Sequence, residues 1–174
     1  MKSILHAQNI AITIKRLAQQ IVENQVNGAG IILIGLQPRG IYLSDRIYKE
    51  VKQLVDDETK VSYGKLDITF YRDDVRNTLH KANETDIPFS IQDKNVILID
   101  DVLYTGRTIR AALDALLDFG RPAKVELCVL IDRRFSREFP IQADYAGRAI
   151  DSFENQKVLV RWEENSDKDE VYIV

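Results

Sequence analysis

The stretch Val96–Thr108, VILIDDVLYTGRT, constrains this chain more than any other. Val96 to Ile99 form a short continuous apolar run, the pattern of a strand buried on both faces of a sheet. In open α/β sheets ligands sit just beyond the carboxyl ends of such strands. Here that end carries two adjacent acids, Asp100 and Asp101. A turn rich in hydroxyls follows, with Gly106 permitting close backbone approach, and a helix begins at once. The unpaired N–H groups and positive dipole end of a helix start favour a phosphate, and Thr105 and Thr108 can add hydroxyl donors. One segment thus offers a phosphate cradle beside two acceptors suited to sugar hydroxyls, a fit for a ribose 5-phosphate. Singly, Thr105 could cap the helix and the two acids could be solvated strand-end residues. The full string favours the ligand reading. It lacks the G-x-x-x-x-G-K-[ST] spacing of a Walker loop and the G-x-G-x-x-G of a dinucleotide site.

The rest of the chain extends the pattern. Ile10, Ile14, Leu17, Ala18, Ile21 and Val22 recur at helical spacing and predict a helix ending near Asn27-Gly28. Ile31 to Leu36 read as a buried strand, and Ile41, Ile47, Val51, Leu54 and Val55 as a second helix. Alternation from Gly64 to Phe70 predicts a strand with one wet face. A polar loop from Arg72 to about Thr85 follows, with a short hairpin around Ile87 to Ile91. After the motif, Ile109, Ala112, Leu113, Leu116 and Leu117 mark the inner face of a third helix, closed by Gly120 and Pro122. Val125 to Ile131 form a fourth buried strand, and Lys157 to Trp162 and Glu170 to Val174 terminal strands. Alternating strands and helices predict an α/β fold, a mostly parallel sheet with helices on both faces.

At 174 residues, 45% hydrophobic and 29% charged, the chain suits one globular domain spanning 1–174. Without an apolar run of membrane-span length or a signal-peptide stretch, the expectation is a cytoplasmic protein with no membrane partner. Cys128 is the only cysteine, which excludes an internal disulfide and a zinc cluster. A net charge of −3 gives no global pull toward nucleic acid.

The motif from Asp100 to Thr108 resembles the phosphoribosyl-pyrophosphate (PRPP) motif of type I phosphoribosyltransferases. That resemblance implies their fold, with a small hood and a flexible lid loop. It implies that Asp100 and Asp101 hold the ribose hydroxyls, touching Mg2+ indirectly through those hydroxyls or water. Val102, Leu103, Tyr104, Thr105, Gly106, Arg107 and Thr108 would complete the PRPP loop. Gln37, Pro38, Arg39 and Gly40, after the first buried strand, would be the pyrophosphate loop, with Arg39 neutralising the leaving group; an ordinary strand–helix turn is the bland alternative. One peptide in that loop is often cis in the family. Arg72, at the mouth of the polar loop with Arg76, would meet pyrophosphate as a lid closes, or else belong to a solvated edge turn. Asp100, Asp101 and Arg39 are thus the candidate catalytic residues.

The likeness runs further. LDITFYRDD, DDVLYTGRT, FGRPAKVELCVLIDR and FPIQADYAGR together resemble the pyrimidine operon attenuator family, PyrR, over nearly the whole chain. This implies conversion of uracil and PRPP to UMP and pyrophosphate, binding of pyrimidine-operon leader RNA, and a homodimer or higher homo-oligomer. Purine-specific relatives carry an Asp where Tyr104 stands. A phenol holds its proton at neutral pH, so Tyr104 argues for a pyrimidine over the alternative of a purine-base transferase. Tyr145 and Ala146, in ADYAG, would lie near uracil. A further alternative is a UMP-sensing RNA attenuator with weak catalysis, using Lys15, Arg16, Arg137 and Arg148 and a patch extended by Arg133 and Arg134. Against it, Ile12 and Lys15 stand where regulatory members carry an Arg and a Thr, Gln142 replaces an Arg, and the segment from Arg133 to Arg137 is altered and one residue longer.

Overall fold

Apolar runs flanked by amphipathic helices leave the chain one economical arrangement, a sheet sealed on both sides. The computed structural model describes residues 1–25, 30–73 and 83–174. Eleven elements follow in order: β1 (Lys2–His6), α1 (Ala7–Asn24), β2 (Ile31–Gln37), α2 (Gly40–Leu54), β3 (Val61–Asp67), β4 (Asn95–Leu103), α3 (Arg107–Leu116), β5 (Lys124–Arg134), β6 (Tyr145–Asp151), β7 (Val158–Arg161) and β8 (Glu170–Ile173). Five of the strands form a wholly parallel sheet, ordered β3-β2-β4-β5-β6. The two ends of the chain make a second, antiparallel sheet, β1-β8-β7.

The core divides by face. On one side Ile10, Ile14, Leu17 and Ile21 of α1 and Leu43, Ile47 and Val51 of α2 pack on the sheet. Leu5, Val158, Trp162 and Val171 bring the small sheet into the same cluster. Each large aliphatic buried this way contributes about 1.5–3 kcal/mol. On the other side lie Ile109, Ala112, Ala115 and Leu116 of α3, with Ile91. The small sheet is also bolted to α2 by charge. Arg46 donates to both carboxylates of the β7–β8 turn, Glu164 at 2.7 Å and Asp169 at 2.9 Å, and lies 4.8 Å over the Trp162 ring.

Several expectations need correction. β3 stops at Asp67 and does not run to Phe70, because the Asp67 carboxylate accepts the Thr69 N–H and hydroxyl and turns the chain into a short 3-10 segment, Thr69–Tyr71. Ile68 is buried there while Phe70 is exposed. No hairpin forms at 87–91; the pairing found is a single antiparallel bridge, Lys65 to Asp86. In α3 the inner face is Ile109, Ala111, Ala112, Ala115 and Leu116, and Leu113 and Leu117 are exposed. The proposed helix end at Asn27-Gly28, and Arg76 in the lid, lie outside the described residues.

Candidate active site

The sheet order creates the site. From β2 the chain crosses to β3 on one side and then returns to pair β4 on the other. Loops leaving the carboxyl ends of β2 and β4 therefore diverge, and the crevice between them is where an open α/β sheet takes its ligand. Arg39 and Gly40 leave β2; Asp100 to Leu103 end β4. Gly40 lets the two meet. A Cβ there would lie 2.6 Å from the Ile99 carbonyl oxygen and 3.0 Å from Asp100 Cα, so a larger residue would lift α2 off the strand. The Gln37–Pro38 bond is cis.

The charges in the crevice are organised. The Asp101 N–H donates to Asp100 Oδ1 at 2.9 Å, and the Val102 N–H to Asp101 Oδ1 at 2.8 Å. Arg39 Nε reaches across to Asp101 Oδ2 at 3.1 Å. Both carboxylates are buried, while the Arg39 side chain is half-exposed. Burial, and next the charge of Asp101, push the Asp100 carboxyl well above the usual carboxylate range. An empty site thus favours a proton on Asp100, and a ligand that brings hydroxyl donors or positive charge would relieve the penalty.

The loop from Tyr104 to Gly106 is tied from behind. Gly106 takes a left-handed conformation, φ 90°, as N-cap of α3. The Tyr104 carbonyl accepts from Arg137 Nη1 at 2.6 Å, and the Thr105 carbonyl from the Glu138 and Phe139 N–H groups at 2.9 and 3.3 Å. The segment 137–139 lines neither cavity described below. With those carbonyls drawn away, the N-terminus of α3 faces the crevice as a place suited to an anion, its Arg107 N–H donating to Thr105 Oγ1 at 3.3 Å. Arg107 is half-exposed and pairs with Asp73 at 3.6 Å and Glu138 at 3.3 Å.

Two cavities share this loop. One, of about 250 Å³, is lined by Val102 to Ile109 with Arg72 and Asp100. The other, of about 210 Å³, is lined by Leu36 to Arg39, Ile68, Arg72, Asp100 to Val102, Tyr104, Thr108, Arg133 and Val158. Arg72, Asp100, Val102, Tyr104 and Thr108 belong to both, so the two spaces are continuous. Asp67 holds the chain at 83–85. Its Oδ2 accepts the Asn83 N–H at 3.0 Å, and its own N–H donates to Thr85 Oγ1 at 2.9 Å.

The sequence-derived candidates fall into two groups. Gln37 to Gly40, Arg72 and Asp100 to Thr108 converge on the crevice. Tyr145 and Ala146 do not. They open β6 in register with Cys128 and Val129, and Val129 is itself in register with Asp100. The Tyr145 hydroxyl donates to Glu126 at 3.2 Å and accepts from Asn24 at 3.3 Å. Arg137 is engaged within the fold. Its guanidinium serves the carbonyls of Tyr104, Arg133 and Ile141 and the Asp132 carboxylate. Arg16 donates to the Ala146 and Gly147 carbonyls, Arg148 to that of Ile4, and Lys15 is exposed on α1.

Arg133 and Val158 are site residues that sequence reasoning missed. Arg133 was grouped with a basic surface patch, yet it is buried and lines the cavity. A signal was present: it stands second after the apolar run of β5, as Asp101 stands second after that of β4. Nothing local marked Val158, which reaches the site from the second sheet.

Comparison with known proteins agrees with this geometry. The family model for the phosphoribosyl transferase domain matches residues 1–165. A bifunctional protein PyrR of Enterococcus faecalis is 43% identical over 173 residues, covering 99% of this chain and 96% of the relative. One from Ligilactobacillus salivarius is 45% identical, covering 97% and 95%. Among solved structures, a hypoxanthine-guanine phosphoribosyltransferase of Bacillus anthracis superposes with a TM-score of 0.69 at 20% identity, covering 90% of this chain and 86% of the other. A hypoxanthine phosphoribosyltransferase of Staphylococcus aureus gives 0.67 at 23%, covering 87% and 80%. These structural likenesses establish the fold, and the match over nearly its full length places the chain in the phosphoribosyltransferase family, among the PyrR proteins.

Proposed function

We propose that this chain transfers the ribosyl 5-phosphate group of PRPP to uracil, releasing UMP and pyrophosphate. The observation that carries this reading is the switch-point crevice, where the N-terminus of α3, the Asp100–Asp101 pair and Arg39 surround one continuous space. The loop Thr105–Thr108 holds the 5'-phosphate. Asp100 and Asp101 accept hydrogen bonds from the 2'- and 3'-hydroxyls and so fix the ribose. Arg39 takes charge from the departing pyrophosphate. The bond from ribose C1 to the pyrophosphate oxygen breaks, the bond from C1 to uracil N1 forms, and N1 gives up its proton. The protein's work is placement and charge stabilisation, with no covalent step of its own. Ile68, Leu36 and Val158 give the base an apolar wall and help keep water from C1.

Magnesium fits this donor set. Among the described residues no group of three or more His, Cys, Asp or Glu could cage a metal, but two hard carboxylates beside a phosphate ligand are what Mg2+ uses when the substrate supplies most of its oxygens. Bound with PRPP, it would neutralise pyrophosphate charge and ease departure. Asp100→Asn combined with Asp101→Asn is expected to lower UMP formation by orders of magnitude with the circular dichroism spectrum unchanged. Retained turnover in that double variant would remove the assignment. Hypoxanthine and guanine assayed beside uracil should give no comparable product.

Membership among the PyrR proteins favours a second activity, UMP-dependent binding of pyrimidine-operon leader RNA. Lys15 and Arg16 on α1, with Arg148, would carry it, since Arg137 is engaged internally. Filter binding of leader RNA with and without UMP, at low and moderate salt, tests this. Binding that ignores UMP or salt counts against it.

A further inference from the structure

Arg133 is the last residue but one of β5, beside the site, and is almost wholly withdrawn from solvent, 4% exposed. Its Nε donates to Ser152 Oγ at 2.8 Å, and its Nη2 to the carbonyls of Gln156 at 3.0 Å and Phe153 at 3.3 Å. One guanidinium thus gathers the whole connection from β6 to β7, the segment that delivers Val158 to the cavity. Its flat face lies 3.7 Å from the centre of the Tyr104 ring, in the phosphate loop. Behind this stack, Arg137 Nη1 donates to two backbone oxygens, those of Tyr104 at 2.6 Å and Arg133 at 2.9 Å, and so ties the same two residues through their main chains. The phosphate loop and the 152–156 segment, which belong to different sheets' connections, are joined at one point twice over.

We infer that Arg133 is a positioning residue that sets the separation between the phosphate loop and the wall of the base site, acting through Tyr104 on one side and residues 152–156 on the other. A base held against Val158 is then fixed relative to a ribose held by Thr105–Thr108. A planar fork is needed for this. Lysine could stay above the Tyr104 ring, but a single ammonium does not reproduce the rigid fork that serves Ser152, Phe153 and Gln156 together. The kinetic part of this inference rests on the phosphoribosyl-transfer reading; the structural part does not.

The test uses the full chain carrying Arg133→Gln, Arg133→Lys or Tyr104→Leu. The last removes only the ring and leaves every Arg133 hydrogen bond in place, so it guards against a variant that simply fails to fold. Hydrogen exchange on ligand-free protein comes first. Arg133→Gln should speed exchange at 104–108 as well as at 152–157, and Tyr104→Leu should do the same in reverse. Changes confined to each substituted segment would overturn the coupling. In the assay with PRPP, Mg2+ and uracil, Arg133→Gln and Arg133→Lys should each lose about 10²-fold in kcat/KM for uracil, the cost of a misplaced reactant. The KM for PRPP should move far less. Pyrophosphate released without base, by attack of water on ribose C1, should rise relative to UMP formed. Full rescue by Lys would mean that charge alone matters and would overturn positioning. A wild-type chain that makes no UMP would defeat the function proposed above while leaving the exchange result to stand or fall by itself.

Discussion

Asp100 is held in a position that costs its own fold. Its carboxyl is buried beside Asp101 and is pushed above the usual carboxylate range. Between that range and the raised value, the folded chain binds a proton that the unfolded chain has lost. Stability therefore falls as pH climbs through the interval. Asp100→Asn keeps an oxygen for the Asp101 N–H and removes the charge. The ligand-free variant should melt higher than wild type near neutral pH, and the gain should vanish on acidifying to the usual carboxylate range. For a chain of this size each 1 kcal/mol moves the midpoint by about 2–4 °C. A melting series across that pH interval reads it, and a gain independent of pH would contradict the account. At this scale the sequence was most legible where chemistry and backbone coincide, in Asp100 to Thr108 and Gln37 to Gly40. It gave no hint of the contacts made by Tyr145 and Arg137. Each is a polar residue whose partners, Glu126 and Asn24 or the Tyr104 carbonyl, lie far off in sequence, so no local pattern separates them from ligand-binding or RNA-binding residues.

Among the elements, the long periodic ones were readable and the short dependent ones were not. α1 and α2 carry strong one-sided apolar spacing, and the buried strands β2, β4 and β5 are continuous apolar runs. β1 and β6 went unrecognised. KSILH and YAGRAID have little strand character alone and are strands because β8 and β5 supply their partners. The false extension of β3 to Phe70 overlooked Asp67-Ile68-Thr69, where a side chain satisfies the backbone locally and ends the strand. The Arg46 bolt matters at this level too. Its loss strands Glu164 and Asp169 together beside α2. Arg46→Met should cost about 2–3 kcal/mol, between an exposed pair and a fully buried one. Urea unfolding measures it. A loss below about 0.5 kcal/mol, the size of a surface pair, would show that Trp162 and its apolar neighbours hold the second sheet unaided.

For the molecule as a whole, alternation of strands and helices foretold a parallel sheet, but not the order β3-β2-β4-β5-β6, because order depends on which strands meet after long crossovers. That order is what brings Arg39 to Asp101, residues 62 positions apart in the chain. A ligand that binds both sides of the crevice should stabilise the entire fold by mass action. PRPP at about 100 times its dissociation constant should add about 2.7 kcal/mol. Chelating Mg2+ should shrink the PRPP shift and leave that of ribose 5-phosphate, which lacks the pyrophosphate, nearly intact. Equal shifts for PRPP with and without the metal would argue against a magnesium-linked pyrophosphate.

The tethering of the Tyr104 and Thr105 carbonyls to Arg137, Glu138 and Phe139 bears on timing. A pocket already shaped before its guest arrives leaves no slow rearrangement to wait for. In rapid mixing, ribose 5-phosphate should associate in one exponential whose rate climbs linearly with concentration. A plateau would reveal a hidden step, and with it a loop looser than these bonds imply.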